Sequence, residues 1–261
     1  MNKIAKLWGF LAIGLFAACE PIENRNELTG ELSPEDIDIS VTVDGNTITM
    51  ENRTPGIIPY WDYGTGFSNK QKVSVLQPFA GDHIVKFTAY GVGYEGVSVE
   101  RTVHIENNDD EYFNTPESWN LLTDNGKGKT WVWNLEKNNP YGNGSEMMKD
   151  VEWWGPGVEA MKEDGSAYDE LYFDLQGAAN YKLIHKKADG TVLSEEKAFF
   201  NTFTTTYSNQ TFNQVEIVGG KISKGTENGL TYDIVTLNED ELVLRERHSG
   251  FAWIFFFKAK K

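Results

Sequence analysis

Short runs in which apolar and polar residues alternate with period two fill the chain from Asp36 onward. Ile37-Asp38-Ile39-Ser40-Val41-Thr42-Val43 comes first, then Asp44-Gly45 as a two-residue hairpin signal and Thr47-Ile48-Thr49-Met50 as the returning strand. Further on, His83, Val85, Phe87 and Ala89 alternate with Ile84, Lys86, Thr88 and Tyr90, and Val97 to Ile105 closes the unit. Successive side chains of a strand point to opposite faces, so this alternation marks sheets with one buried face. Strands at this spacing over residues 36–106 predict a small Ig-like sandwich.

The pattern resumes after Asn107-Asn108-Asp109-Asp110-Glu111, a polar break that predicts a solvated linker and a domain boundary. Its oxygen-bearing side chains could hold calcium, but the EF-hand order is lacking. Strand candidates in 112–261 are Lys129 to Leu135, Glu170 to Leu175, Tyr181 to Lys187, Val192 to Phe203, Thr211 to Val218, Tyr232 to Leu237, Glu241 to Arg247 and Phe251 to Phe257. Asp189-Gly190, Gly219-Gly220 and Ser249-Gly250 read as turns between them. Only Val158 to Lys162 hints at a helical turn. Strands without crossover helices predict an antiparallel β-sandwich or a closed barrel, and the pattern does not choose between the two. The whole chain is therefore expected to be all-β.

The first 35 residues follow another rule. Lys3 and Lys6 precede an apolar run, Leu7 to Phe16, that is too short for a membrane span, and Ala17-Ala18-Cys19 is a small-residue cleavage site. Residues 1–19 look like a bacterial lipoprotein signal, with Phe16 where Leu is usual and Cys19, the single cysteine, as the lipidated residue. Residues 20–35, polar and acidic with Pro21, Gly30 and Pro34, read as a tether. The expected attachment is by lipid alone, since no later apolar run approaches the length of a transmembrane helix. The formal charge of −15 argues against nucleic acid and other anionic ligands. Cleavage would remove two lysines and no acid, and the scattered acids are explained by a solvated surface.

Candidate chemistry begins with the tryptophans. Six of the eight follow Glu111: Trp119, Trp131, Trp133, Trp153, Trp154 and Trp253. An indole removes roughly 150–250 Å² from water when buried, so a core position is its default fate. Trp131 and Trp133 share one strand face with Leu135, which fits packing. Trp153 and Trp154 precede Gly155-Pro156-Gly157, and a loop there would leave both rings able to reach a ligand. If Ser249-Gly250 is a two-residue loop, His248 faces Phe251, Glu246 faces Trp253, Leu244 faces Phe255 and Leu242 faces Phe257. Leu242, Leu244, Phe255 and Phe257 then form the core side. Trp253, Glu246 and His248 would sit together near the hairpin tip, an aromatic ring beside a carboxylate and an imidazole. The plainer alternative has Trp253 covering the core end and Glu246 solvated.

Two stretches carry family resemblances. Tyr60-Trp61-Asp62-Tyr63-Gly64-Thr65-Gly66, followed by Pro78-Phe79-Ala80-Gly81-Asp82-His83-Ile84-Val85, resembles the polycystic kidney disease (PKD) domain, with Thr65 in place of the usual second Asp. That resemblance implies a spacer or weak binder in which Trp61 is a core residue. Lys129-Thr130-Trp131-Val132-Trp133, Glu152-Trp153-Trp154-Gly155-Pro156-Gly157, Tyr168 to Asp174 and Tyr232 to Leu244 are similar to segments of cell-surface glycan-binding lipoproteins from gut-bacterial polysaccharide utilisation loci. The closing hairpin is also similar to lipocalin-like barrels. The second resemblance implies non-catalytic capture of an extracellular polysaccharide or oligosaccharide at the outer membrane, facing the exterior, beside components of a glycan importer. It implies no cofactor.

Enzymatic motifs do not take shape. A divergent glycoside hydrolase would need two facing carboxylates, but Asp169 and Glu170 are adjacent and would point apart on a strand. There is no Gly-x-Ser-x-Gly elbow and no His-Glu-x-x-His. His83, His104, His185 and His248 lack metal-ligand spacing, so no metal site is expected. A structural subunit of a surface complex is the third possibility; it would bury every tryptophan and expose an apolar docking patch. The residues expected to contact a glycan are Trp153, Trp154, Trp253 and, more weakly, Trp133, with Asp169, Glu246 and His248 as partners for sugar hydroxyls.

Overall fold

The computed structural model describes residues 32–91, 94–114, 116–226 and 230–261. The signal segment, Cys19 and most of the tether lie outside the described residues. No helix among the described residues is long and apolar enough to cross a membrane.

The fold is all-β. In the N-terminal part, strands β1 (Ile39–Asp44), β2 (Thr47–Asn52), β3 (Ile58–Asp62), β4 (Phe67–Ser68), β5 (Lys72–Leu76), β6 (Gly81–Gly91) and β7 (Tyr94–Ile105) form two antiparallel sheets. Their orders are β1-β2-β5 and β4-β3-β6-β7. The faces meet over a core of Ile48, Met50, Trp61, Val85, Phe87 and Ala89. This is an Ig-like sandwich, and the alternation along β2 and β6 maps onto it directly. Trp61 is buried against Phe87, with its indole N–H donating to the Lys70 carbonyl. The first turn is displaced from its sequence reading. Asp44 still pairs with Thr47, so Gly45-Asn46 forms the loop and Gly45 takes the positive φ.

The polar break is not a free linker. Asp109 caps α1 (Asp110–Phe113) by accepting the Tyr112 N–H, and its own N–H donates to the Pro78 carbonyl. Asn108 accepts the Ala80 N–H. One side-chain oxygen each of Asn108 and Asp109 is thus spent on a backbone donor, while Asn107, Asp110 and Glu111 stay exposed. Helix α2 (Ser118–Thr123) follows, and Phe113, Trp119 and Leu122 enter the C-terminal core.

The C-terminal strands are β8 (Lys129–Trp133), β9 (Tyr141–Gly144), β10 (Glu170–Asp174), β11 (Asn180–Lys186), β12 (Val192–Tyr207), β13 (Gln210–Val218), β14 (Thr231–Leu237), β15 (Glu241–His248) and β16 (Phe251–Ala259), with helix α3 (Val158–Glu163) between β9 and β10. They make one nine-stranded sheet, ordered β15-β14-β13-β12-β11-β10-β8-β16-β9. Because β16 also pairs with β15, the sheet closes on itself, and the open choice between sandwich and barrel resolves as a barrel. Strand β9 lies outside the ring, extending the edge of β16 that β8 leaves free. The interior is filled by Trp131, Trp133, Leu171, Phe173, Tyr181, Leu183, Tyr232, Phe255 and Phe257 among others.

One end of the barrel is plugged by α1 and α2 and by Phe79 of the sandwich, which packs on Phe113. The β10–β11 hairpin, at the same end, donates the Gly177 N–H to the Ala80 carbonyl. The opposite end is a mouth formed by the β8–β10 connection, residues 219–226 after β13 and the tip of the β15–β16 hairpin. Gly219-Gly220 is not a tight turn, since Val218 and Thr231 are separated by a long connection.

Candidate functional site

The β15–β16 register is His248↔Phe251, Glu246↔Trp253, Leu244↔Phe255 and Leu242↔Phe257, as the sequence predicts. Leu242, Leu244, Phe255 and Phe257 are all in the core. Trp253 is half-buried at the mouth and Trp154 stands edge-on to it, centroids 6.2 Å apart at 89°. Tyr141 completes the corner, 6.4 Å from Trp154 and 6.2 Å from Trp253.

Trp153 and Trp154 keep 62% and 54% of their surface exposed. Their backbone is nevertheless fixed. The Trp153 N–H donates to the Asn143 carbonyl at 3.0 Å, the Trp154 N–H to Asn143 Oδ1 at 3.1 Å, and the Asn143 N–H to the Trp154 carbonyl at 2.8 Å. Such close apposition requires glycine. A Cβ on Gly142 would lie 2.4 Å from the Trp154 carbonyl oxygen, and one on Gly155 would lie 2.6 Å from that of Tyr141. The two indoles therefore project from a pinned segment, and that of Trp154 meets Trp253 edge-to-face.

The other expected contacts fare differently. Trp133 is 1% exposed, packed face-to-ring on Phe257 at 4.4 Å, because its strand parity points it into the barrel; it offers no face to a ligand. Glu246 is neither solvated nor open, being 1% exposed. It accepts from the Thr226 N–H at 3.1 Å, from the Thr226 hydroxyl, and from His248 Nε2 at 2.8 Å. Its role is to fasten residues 219–226 over the mouth. His248 stacks on Phe251 with its Nε2 committed to Glu246. The Glu246 charge, after burial, helps hold the Tyr232 phenol well above its ordinary pKa.

Asp169 is 6% exposed and belongs to a cluster the sequence reading missed. It stands just before β10, where the 3₁₀ turn Ser166–Tyr168 delivers it to the mouth. One carboxylate oxygen meets His185 Nδ1 at 2.9 Å, and the other accepts from Ser223 Oγ at 2.6 Å. His185 Nε2 lies 3.3 Å from Glu196. Burial opposes the charged imidazole, but the bonds and charges of Asp169 and Glu196 prevail, so its pKa stands above the ordinary histidine value. Ser223 donates to the carboxylate and not to the imidazole, so this cluster does not form a serine–histidine pair. Asp169, His185 and Ser223, with Asp164, Lys224 and the apolar Leu183, Leu193 and Ile222, line a cleft of about 530 Å³.

Lys224 donates to Asp164 at 2.8 Å, and Asp164 also accepts from the Ser166 N–H and hydroxyl. Burial raises the Tyr141 pKa first, with Lys224 lowering and Asp164 raising it, so this ion pair is within electrostatic reach of the aromatic corner. A sequence signal for the cleft existed only in part. Register pairs Ser194 with His185, but Ser223 and Lys224 come from an irregular connection that periodicity cannot place.

No protein-family model matches the chain, and no curated protein matches it. Two solved structures are similar to it over 27% of its length. One is the PKD1 domain of Vibrio anguillarum Epp, at 21% identity over 90% of that chain with a TM-score of 0.25. The other is the PKD1 domain from the Vibrio cholerae metalloprotease PrtV, at 18% identity over 95% of that chain, also with a TM-score of 0.25. Both are PKD domains, the family that Tyr60–Gly66 and Pro78–Val85 resemble. The Ig-like assignment rests on the strand order and register given above.

Proposed function

We propose that the chain is a non-catalytic binding protein for an extracellular polysaccharide or oligosaccharide. In this reading it is anchored at the outer membrane through lipid on Cys19 and hands glycan to an importer. The observation that carries it is the pair Trp153 and Trp154, more than half exposed yet pinned by backbone bonds to Asn143. Leaving two indoles in water forgoes burial worth about 1.5–3 kcal/mol for each large apolar side chain, and contiguous exposed apolar surface marks a binding site. A pinned backbone lowers the ordering cost of binding. Tyr141 and Trp253 supply further ring surface beside Trp154. The anchoring is supported by the signal pattern of residues 1–19.

Affinity electrophoresis and calorimetry against a polysaccharide panel test this, with reducing-end release followed in parallel. Retardation by one glycan, lost in Trp153→Ala or Trp154→Ala and without sugar release, is the expected result. Release of reducing ends would replace binding by hydrolysis. Binding that survives both substitutions would remove the tryptophans from the site.

A further inference from the structure

The cleft around Asp169 and His185 has the dimensions of a ligand site, since such sites enclose roughly 300–1,000 Å³. Its side chains are already oriented. Asp169 cannot swing, because Ser223 and His185 hold one oxygen each. His185 is fixed in turn between Asp169 and Glu196. A carboxylate oxygen has two lone pairs, so each Asp169 oxygen retains acceptor capacity beyond these bonds.

The charges of the lining are mostly cancelled in place: Asp164 against Lys224, Asp169 against His185, Lys186 against Glu170. Lys221 is the lining cation with no carboxylate partner among the described residues. A charged ligand would have to break one of these pairs and meet the negative field of a chain of net charge −15. A neutral polyhydroxylated ligand need break none. Leu193, exposed beside the cleft, offers apolar surface for the C–H face of a ring.

We propose that this cleft is a second sugar subsite, taking a neutral hexose or pentose unit next to the unit stacked at Tyr141, Trp154 and Trp253. The Asp164–Lys224 pair, part of the cleft lining, addresses hydroxyls of the bound unit. This inference rests on the glycan-binding reading and adds the ligand class and the direction in which the chain runs, from the aromatic corner toward His185.

The test uses the full chain and calorimetry with cellotetraose, laminaritetraose, mannotetraose, xylotetraose and tetragalacturonate, each beside its disaccharide. Ser194 lies opposite His185 in the β11–β12 register and is exposed, so Ser194→Trp fills the cleft without removing a core contact. Leu193→Asp, also at an exposed position, is the second variant, and melting curves confirm folding of both. The expected result is that one neutral tetrasaccharide binds more tightly than its disaccharide. Both cleft variants then lose about ten-fold in tetrasaccharide affinity, about 1.4 kcal/mol, with the disaccharide unchanged. Unchanged tetrasaccharide affinity in the cleft variants, with loss in Trp154→Ala, overturns the subsite and leaves the aromatic site standing. Loss in the cleft variants with Trp153→Ala and Trp154→Ala unaffected overturns the aromatic site and keeps the cleft. Preference for tetragalacturonate over every neutral tetramer overturns the ligand class, and binding of none of the five overturns both proposals.

Discussion

Trp133 and Trp153 are the same side chain with opposite fates, and a few neighbouring residues decide which. Trp133 alternates with Val132 on β8, and parity points it inward with Trp131. Trp133→Ala would leave a cavity beside Phe257, at a cost of about 3–5 kcal/mol, read as a lower urea midpoint. Trp153→Ala should change stability by less than about 1 kcal/mol in the same measurement, because the ring is mostly in water. His185 gives a pH signature. Its folded pKa is raised above the unfolded value of about 6.5, so its stabilisation is fully present below that value and is lost as pH rises through the folded pKa. The melting temperature of His185→Gln, compared with the unsubstituted chain from pH 5.5 to 8.5, should show its largest deficit at the acid end, as roughly sketched by those two pKa values. Strand parity made the packing face of Trp131 and Trp133 and the closing hairpin legible beforehand, yet Trp133 was also expected at a ligand, where its burial against Phe257 excludes it. Glu246 was misjudged, because its partner Thr226 comes from a connection with no period.

At the level of elements, strand β9 went unread for a physical reason. Tyr141-Gly142-Asn143-Gly144 has poor β-propensity, and its glycines serve the approach of Val151 to Gly155 across its face. Gly142→Ala forces a methyl group onto the Trp154 carbonyl and should dislodge that segment. Acrylamide quenching of tryptophan fluorescence is expected to increase, and under the proposed function glycan retardation to fall, while the barrel's far-ultraviolet spectrum is retained. The β12–β13 hairpin was read too short for a related reason. Its turn, Ser208-Asn209, places two non-glycine residues at φ of 48° and 62°, a geometry for which Asn-Gly is the usual signal. Asn209→Gly should therefore be neutral or raise stability by a few tenths of a kcal/mol by thermal melting.

For the molecule as a whole, the two all-β units could be read from alternation, but the closure of the second could not. Closure depends on Phe257 meeting Trp133 across most of the unit's length, a pairing with no local mark. The junction was equally silent. Phe79 sits in a stretch that reads as part of the sandwich, yet its ring packs on Phe113 in the barrel plug. Phe79→Ala should split a single calorimetric unfolding transition into two, the earlier belonging to the less stable unit.

Strand β16 pairs with β15, β8 and β9, and it follows all of them in the chain. During synthesis the sandwich can complete its pairings while the barrel still lacks the strand that joins its first and last members. Until β16 emerges, β8 and β15 present open hydrogen-bonding edges and their inward tryptophans and leucines face water. Such a half-made sheet is the state most exposed to aggregation, and it ends only when the last strand arrives.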